Sequence, residues 1–363
     1  MRSTALKPLA LGTALVMTSA LPVAADGHVK GVGEVTALIA EASTATTPEQ
    51  MTDGQSGDTE FPYIGTMKAL ASVGELDAEN GLGLTGYPDG QAAWLADEDT
   101  VRVAYQSESY ATMSNETYPR VMDSGASFTG SHIHTIDYDR AGLAEFLGSD
   151  AAASEIVKGT GELFSTVYNV FGDEVVPLAD GGAWGNSALP DGSTVPFSEA
   201  MALSNGDFFF QSFCGAYYEP ADKYGEGIGF ADDIWFNAEE WNIQSMFDTV
   251  DAEGNVTESV IDANETMGLA SIAVDIASGV AYTVPALGQT GYEKIMPINP
   301  GSTDHVVVVL AGYNHDLEPA PLKIYGGVKG MTADGTEIAA DANERDQFLA
   351  RNGLLHGKIY GLA

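Results

Sequence analysis

Residues 230–241 read FADDIWFNAEEW. Ile234-Trp235-Phe236 is a short, aromatic and β-branched core that reads as strand. Acidic pairs flank it, Asp232-Asp233 before and Glu239-Glu240 after. Crowded carboxylates repel, and each costs several kcal/mol if buried without a partner. Four of them around one core strand therefore imply either turns or a shared cation.

The same kind of run recurs outward from this stretch. TVRVAYQSES (100–109), SFTGSHIHTIDYD (127–139), GDFFFQSFC (206–214), GVAYTVPALG (279–288), HVVVVLAGYN (305–314) and LKIYGGVKG (322–330) are short, aromatic or β-branched, and bounded by Gly, Asp, Asn and Pro. Asp-Gly steps at Asp89, Asp180, Asp191 and Asp334 signal turns. Helical periodicity is confined to AGLAEFL (141–147), ASEIVKGTGELFSTVYNVF (153–171) and ANERDQFLARNG (342–353), the last with Gly353 where a C-terminal cap belongs. The expected class is mainly β with long loops and a few short helices. A sandwich, a barrel and a propeller all hide sheet edges, and many short strands with long connections suit a propeller.

The chain has 363 residues, with 15 Lys and Arg against 52 Asp and Glu, a net charge of −37. Arg2 and Lys7, the apolar LALGTALVMTSAL and the small-residue Val23-Ala24-Ala25 make residues 1–25 a secretory signal peptide, too short to span a membrane. Residues 26–60 read as a linker, and 61–363 as the folded domain. The expected location is periplasmic or secreted. Such acidity repels nucleic acid and anionic lipid, so neither is an expected partner, and no membrane span is expected. An anionic substrate needs bound cations to reverse the local field. Cys214 is the single cysteine, which excludes a disulfide framework; it reads as a buried small hydrophobe.

Acidic clusters at strand ends carry the candidate chemistry. Asp89 lies in YPDG, Glu108 ends QSE, Glu239-Glu240 ends the opening strand, Glu293 follows Tyr292, and Asp316 follows Asn314-His315. Hard oxygens spread over loops suit Ca²⁺ better than Mg²⁺ or Zn²⁺. His132-x-His134 puts two imidazoles on one strand face, and reads as a polar face rather than a metal pair. No G-x-S-x-G anchors a serine hydrolase, and no glycine-rich run sits in a nucleotide-loop context.

In order along the chain, GYPDGQAAW (86–94), VAYQSESY (103–110), SGASFTGSHIHTIDYDRAGL (124–143), FCGAYYEPADKYGEGIGFADDIWFNAEEW (213–241), YTVPALGQTGYEKIMPINP (282–300), VVVVLAGYNHD (306–316), LKIYGGVKG (322–330) and NGLLHGKIYGL (352–362) resemble the motifs of the PhoX-type family of secreted bacterial alkaline phosphatases. The resemblance implies a six-bladed β-propeller that hydrolyses phosphate monoesters at a centre of Ca²⁺ and, in some members, Fe³⁺. It carries Glu108, Glu239, Glu240, Glu293 and Asp89 over as metal ligands and Lys329 as a contact to a phosphate ester. Departures from the family pattern stand beside these residues: QSES for Asn-His-Glu, Ala238 before the glutamate pair, and Tyr292-Glu293-Lys294 for Trp-Glu-Asn. The given sequence also ends on IYGLA (359–363), which matches a short or incomplete propeller. The alternative these departures favour is a non-catalytic, calcium-stabilised propeller acting as a binding module.

Overall fold

A computed structural model describes residues 87–108, 120–149, 151–177, 213–239, 271–312 and 322–361, except 129, 152 and 289–290, with short pieces at 60–61, 65–66, 70–71, 183–184, 210, 249–250 and 256–258. The stretch 1–25 read as a signal peptide, residues 26–59, Glu240 and Asn314-His315-Asp316 lie outside the described residues.

The class is mainly β, as the strand-like runs predict. Three four-stranded antiparallel meanders follow one another. The first holds β1 (Tyr87–Asp97), β2 (Thr100–Glu108), β3 (His132–Asp139) and, after helix α1 (Arg140–Glu145), β4 (Val157–Glu162). A short strand, β5 (Thr166–Tyr168), comes next. The second meander is β6 (Phe213–Glu219), β7 (Ile234–Glu239), β8 (Ile272–Asp275) and β9 (Val280–Thr283). The third is β10 (Tyr292–Ile298), β11 (His305–Gly312), β12 (Lys323–Val328) and, after helix α2 (Glu344–Arg351), β13 (Gly357–Gly361). Among the described residues no sheet closes into a barrel.

The opening stretch is β7, and every residue of it is buried. A strand whose two faces both meet protein loses the apolar–polar alternation of a half-wet sheet. Trp235 packs towards the first meander with Ala104, Ile133, Phe213 and Val274. Ile234, Phe236 and Ala238 pack towards the third, with Ile295, Val308, Leu310 and Tyr325. The second meander is thus the filling between the other two. The far face of the first meander packs Ile136 and Tyr138 against Phe146 beyond α1.

The acidic pair before β7 makes turns and ties. Asp232 Oδ2 accepts from Arg351 Nε and Asn352 Nδ2, both at 2.6 Å, and Asp233 Oδ1 accepts from the Ala221 amide at 2.7 Å. Asp232 so anchors the C-terminus of α2. That end is closed by a Schellman turn: the Leu354 amide donates to Leu349 O at 2.7 Å and the Gly353 amide to Ala350 O at 2.9 Å, with Gly353 at φ +67°. At the other end the Asn343 side chain accepts from the Asp346 amide at 2.8 Å. Asn343→Ala is expected to cost about 1 kcal/mol through loss of this cap; a urea midpoint equal to wild type would show that α2 does not depend on it.

One sequence expectation needs correction. The helix read over 153–171 is a 3₁₀ turn (Ala153–Glu155) followed by β4 and β5. Gly159 and Gly161 each cost a helix about 1 kcal/mol, and the free edge of β3 offers their backbone a ladder. Of the strand read at 206–214, Phe213 and Cys214 open β6, in register with β7; residues 206–209 and 211–212 lie outside the described residues. Among the described residues no helix is long and apolar enough to cross a membrane.

After the first meander, β5 runs parallel to β9 and covers the outer edge of the second. Tyr168 stacks on Tyr282 (5.3 Å between centroids), and Tyr282 on Phe348 of α2 (4.5 Å). Arg345 Nη2 donates to Val170 O at 3.3 Å.

Candidate functional site

The first strands of the three meanders, β1, β6 and β10, converge on one cleft. Backbone must come close to backbone there, and two glycines permit it. Gly90 lies in a bulge of β1; a Cβ on it would stand 2.3 Å from Ala216 Cβ on β6. Gly215, at φ +73°, bridges in parallel to Lys294 of β10, and a Cβ there would press 3.2 Å from the Glu293 carbonyl oxygen. The cleft so formed has a volume of about 350 Å³ and is lined by Asp89, Gly90, Cys214, Gly215, Ala216, Glu293, Lys294 and Ala311.

Three charged groups reach it. Asp89 and Glu293 are exposed carboxylates, and Lys294 is an exposed ammonium. Lys294 Nζ donates to Ala216 O at 3.1 Å. Gln106, fully buried, holds Asp89 in place: its Nε2 donates to Asp89 Oδ2 at 3.2 Å and to the Phe213 carbonyl of β6. Both partners are acceptors, which fixes the amide's orientation. The buried Cys214 thiol, in no disulfide, donates from Sγ to Glu293 O at 3.6 Å.

Of the residues singled out in the sequence, the structure brings Asp89 and Glu293 together. Glu108 ends β2 opposite Tyr87 and does not line the cleft. Glu239 is fully buried opposite Phe213, one residue from the lining Cys214. Glu240 lies outside the described residues. Lys329 is not at this cleft. Its Nζ donates to Gly227 O at 3.0 Å, beside the start of β11, while Ala311 lies at the other end of that strand, about 20 Å away by strand rise. Burial lowers the Lys329 ammonium from its ordinary range.

His132 and His134 share a strand face, as their spacing requires, but the face is buried rather than wet. It is the side of β3 that carries Ile136 and Tyr138, turned away from the second meander. The rings are 5.4 Å apart, His134 Nδ1 stands 3.3 Å from Glu162 Oε1, and Glu162 also pairs with Arg120. Burial first, and Arg120 second, hold both imidazoles well below their usual pKa. They are neutral at physiological pH. Among the described residues no group of three or more His, Cys, Asp or Glu is placed to hold a metal.

The sequence reading placed Gln106 and Gly90 in strand-end clusters but gave neither them nor Gly215 a role at the site. Each had a signal: Gln106 is a polar residue alternating with inward Ala104, and a glycine within a strand marks a bulge or a close approach of backbone. Compared with family models, curated proteins and solved structures, the chain matched none.

Proposed function

We propose that the chain is an exported, propeller-like protein whose cleft binds and hydrolyses small phosphate esters with the help of a calcium ion. The observation that carries this reading is the convergence of Asp89 and Glu293, distant in sequence, with Lys294 where the first strands of three meanders meet. That is the place where a propeller channel collects side chains. Three meanders stand among the described residues, and six blades are proposed for the whole.

The carboxylates of the lining suit calcium. Asp89 and Glu293 offer hard carboxylate oxygens, and Ca²⁺ accepts backbone carbonyls and waters for its remaining positions. No imidazole of the described residues lines the cleft. Calcium, when bound, would offset the two carboxylates and polarise a phosphoryl oxygen. The chain's own residues do the rest. Lys294 has three N–H donors, one of them committed to the Ala216 carbonyl, which leaves two for phosphoryl oxygens. Gln106 keeps the Asp89 carboxylate in place, and Glu293 lines the same cleft from β10.

A second reading, a calcium-stabilised binding module without catalysis, is favoured by one observation. The described lining holds no histidine, serine or threonine to serve as base or nucleophile. Hydrolysis of an aryl phosphomonoester, measured after chelation and after restoring Ca²⁺, separates the two. Calcium-restored turnover that Asp89→Asn and Glu293→Gln each abolish supports the phosphoesterase. A calcium-dependent rise in melting temperature without turnover leaves the binding module. Full activity in both variants places the centre elsewhere.

A further inference from the structure

The outward face of the third meander differs in chemistry from the rest of this acidic chain. Its four strands pair in register, so alternate positions share a face. On the outward side Lys294 stands beside Ala311, and the next row along is Met296, Val309, Ile324 and Tyr360. Met296 is 39% exposed, Ile298 of the following row 38%, and Tyr360 58%. Apart from Glu293, exposed in the bulge before Lys294, none of the outward positions on these strands is acidic, in a chain with 52 Asp and Glu. A half-wet antiparallel sheet normally turns polar residues outward. An exposed apolar patch of this kind marks a binding surface. The patch is continuous with the cleft, because Lys294 and Ala311 belong to both.

We propose that the cleft takes the phosphate ester of an apolar alcohol, with the phosphate at Lys294 and the hydrocarbon lying along Met296 and Val309. The inference depends on the phosphate-ester reading above and adds the leaving group to it. Charge complementarity and distance both favour this occupant. The anionic head meets an ammonium, and the tail, past Glu293, meets the Met296–Val309–Ile324–Tyr360 row, which holds no carboxylate to desolvate. The Met296–Val309 pair lies two residues along the strand from Lys294–Ala311, about 7 Å, within reach of a short alkyl chain.

The test is calorimetric titration of the full chain, in the presence of Ca²⁺, with inorganic phosphate and with methyl, butyl and octyl phosphate below their micellar concentrations. Affinity is expected to rise from methyl to octyl phosphate, about twofold for each methylene lying on the face. Met296→Asp is expected to bring octyl phosphate down to the affinity of methyl phosphate. Leu95→Asp, an exposed apolar position on the first meander, is expected to keep the length dependence. Equal affinity for methyl and octyl phosphate, with both binding, overturns the apolar leaving group and leaves the phosphate reading standing. Octanol matching octyl phosphate, while inorganic phosphate fails to bind, overturns the phosphate reading itself. A wild-type dimer in sedimentation that Met296→Asp splits to monomers, without length-dependent binding, assigns the face to a second copy and overturns the proposal.

Discussion

Between pH 10 and pH 12 the protein is expected to lose several kcal/mol of folding stability, through tyrosines buried in the core. Tyr292 is 1% exposed and its hydroxyl donates to Leu287 O at 2.6 Å. Burial raises its pKa from 10.0 to about 12. Tyr325 is fully buried, donates to Gly353 O at 2.9 Å, and is likewise raised by burial. A folded-state pKa above the unfolded value means that the contribution is complete below pH 10 and is lost as the pH climbs through the folded value. For Tyr292 the two-unit shift corresponds to roughly 2–3 kcal/mol by pH 12. Urea midpoints at pH 8, 10, 11 and 12 should fall along this curve. Tyr292→Phe should start lower, having left Leu287 O unpaired, and then fall less steeply. Parallel curves for wild type and variant would rule Tyr292 out as the titrating group. Assays of ester hydrolysis at alkaline pH accordingly belong below pH 10.

Gly90→Ala is expected to cost about 1–3 kcal/mol, the usual range for forcing a methyl into a filled contact. The added Cβ would fall 2.3 Å from Ala216 Cβ, across the seam between the first and second meanders. Gly90 has no positive φ, so the backbone accepts alanine and the whole effect is the clash. The remedy is specific. Ala216→Gly alone should cost about 0.5–1 kcal/mol as a glycine in a strand, yet in the Gly90→Ala background it should restore most of the loss. The coupling between the two substitutions, read from denaturant midpoints, is the quantity of interest. Simple additivity would mean that β1 and β6 do not meet at this point. The calcium response should follow the same pattern, because Asp89 is the neighbour of Gly90 and is held by Gln106 across the same seam.

Strand positions were legible because aromatic and β-branched runs declare themselves locally. β2, β3, β7, β11 and β12 stand where those runs predict. The stretch 153–171 misled because apolar residues at helical spacing outweighed Gly159 and Gly161, and the deciding partner, β3, is a tertiary matter. The candidate site was legible only in part. Asp89 and Glu293 could be named as carboxylates at strand ends. That they share a cleft while Lys329 lies at the far end of β11 depends on which strands meet, and no local pattern encodes that. The histidine pair shows the same limit: spacing gives the common face, but burial of that face is decided by what covers it.

The placement of β5 has a kinetic consequence. The chain leaves the first meander and lays Thr166–Tyr168 beside Val280–Thr283, strands separated by more than a hundred residues. Tyr168 and Val170 are then held by Tyr282 and by Arg345 of α2, near the C-terminal end. Pairings this remote in sequence require closing long loops before any contact repays them, and such folds form slowly. A chain emerging from its N-terminus completes the first meander early and can close the local bonds of residues 167–169 to 173–175, but the β5–β9 ladder waits for residues 280–283 and the Arg345 tie for α2.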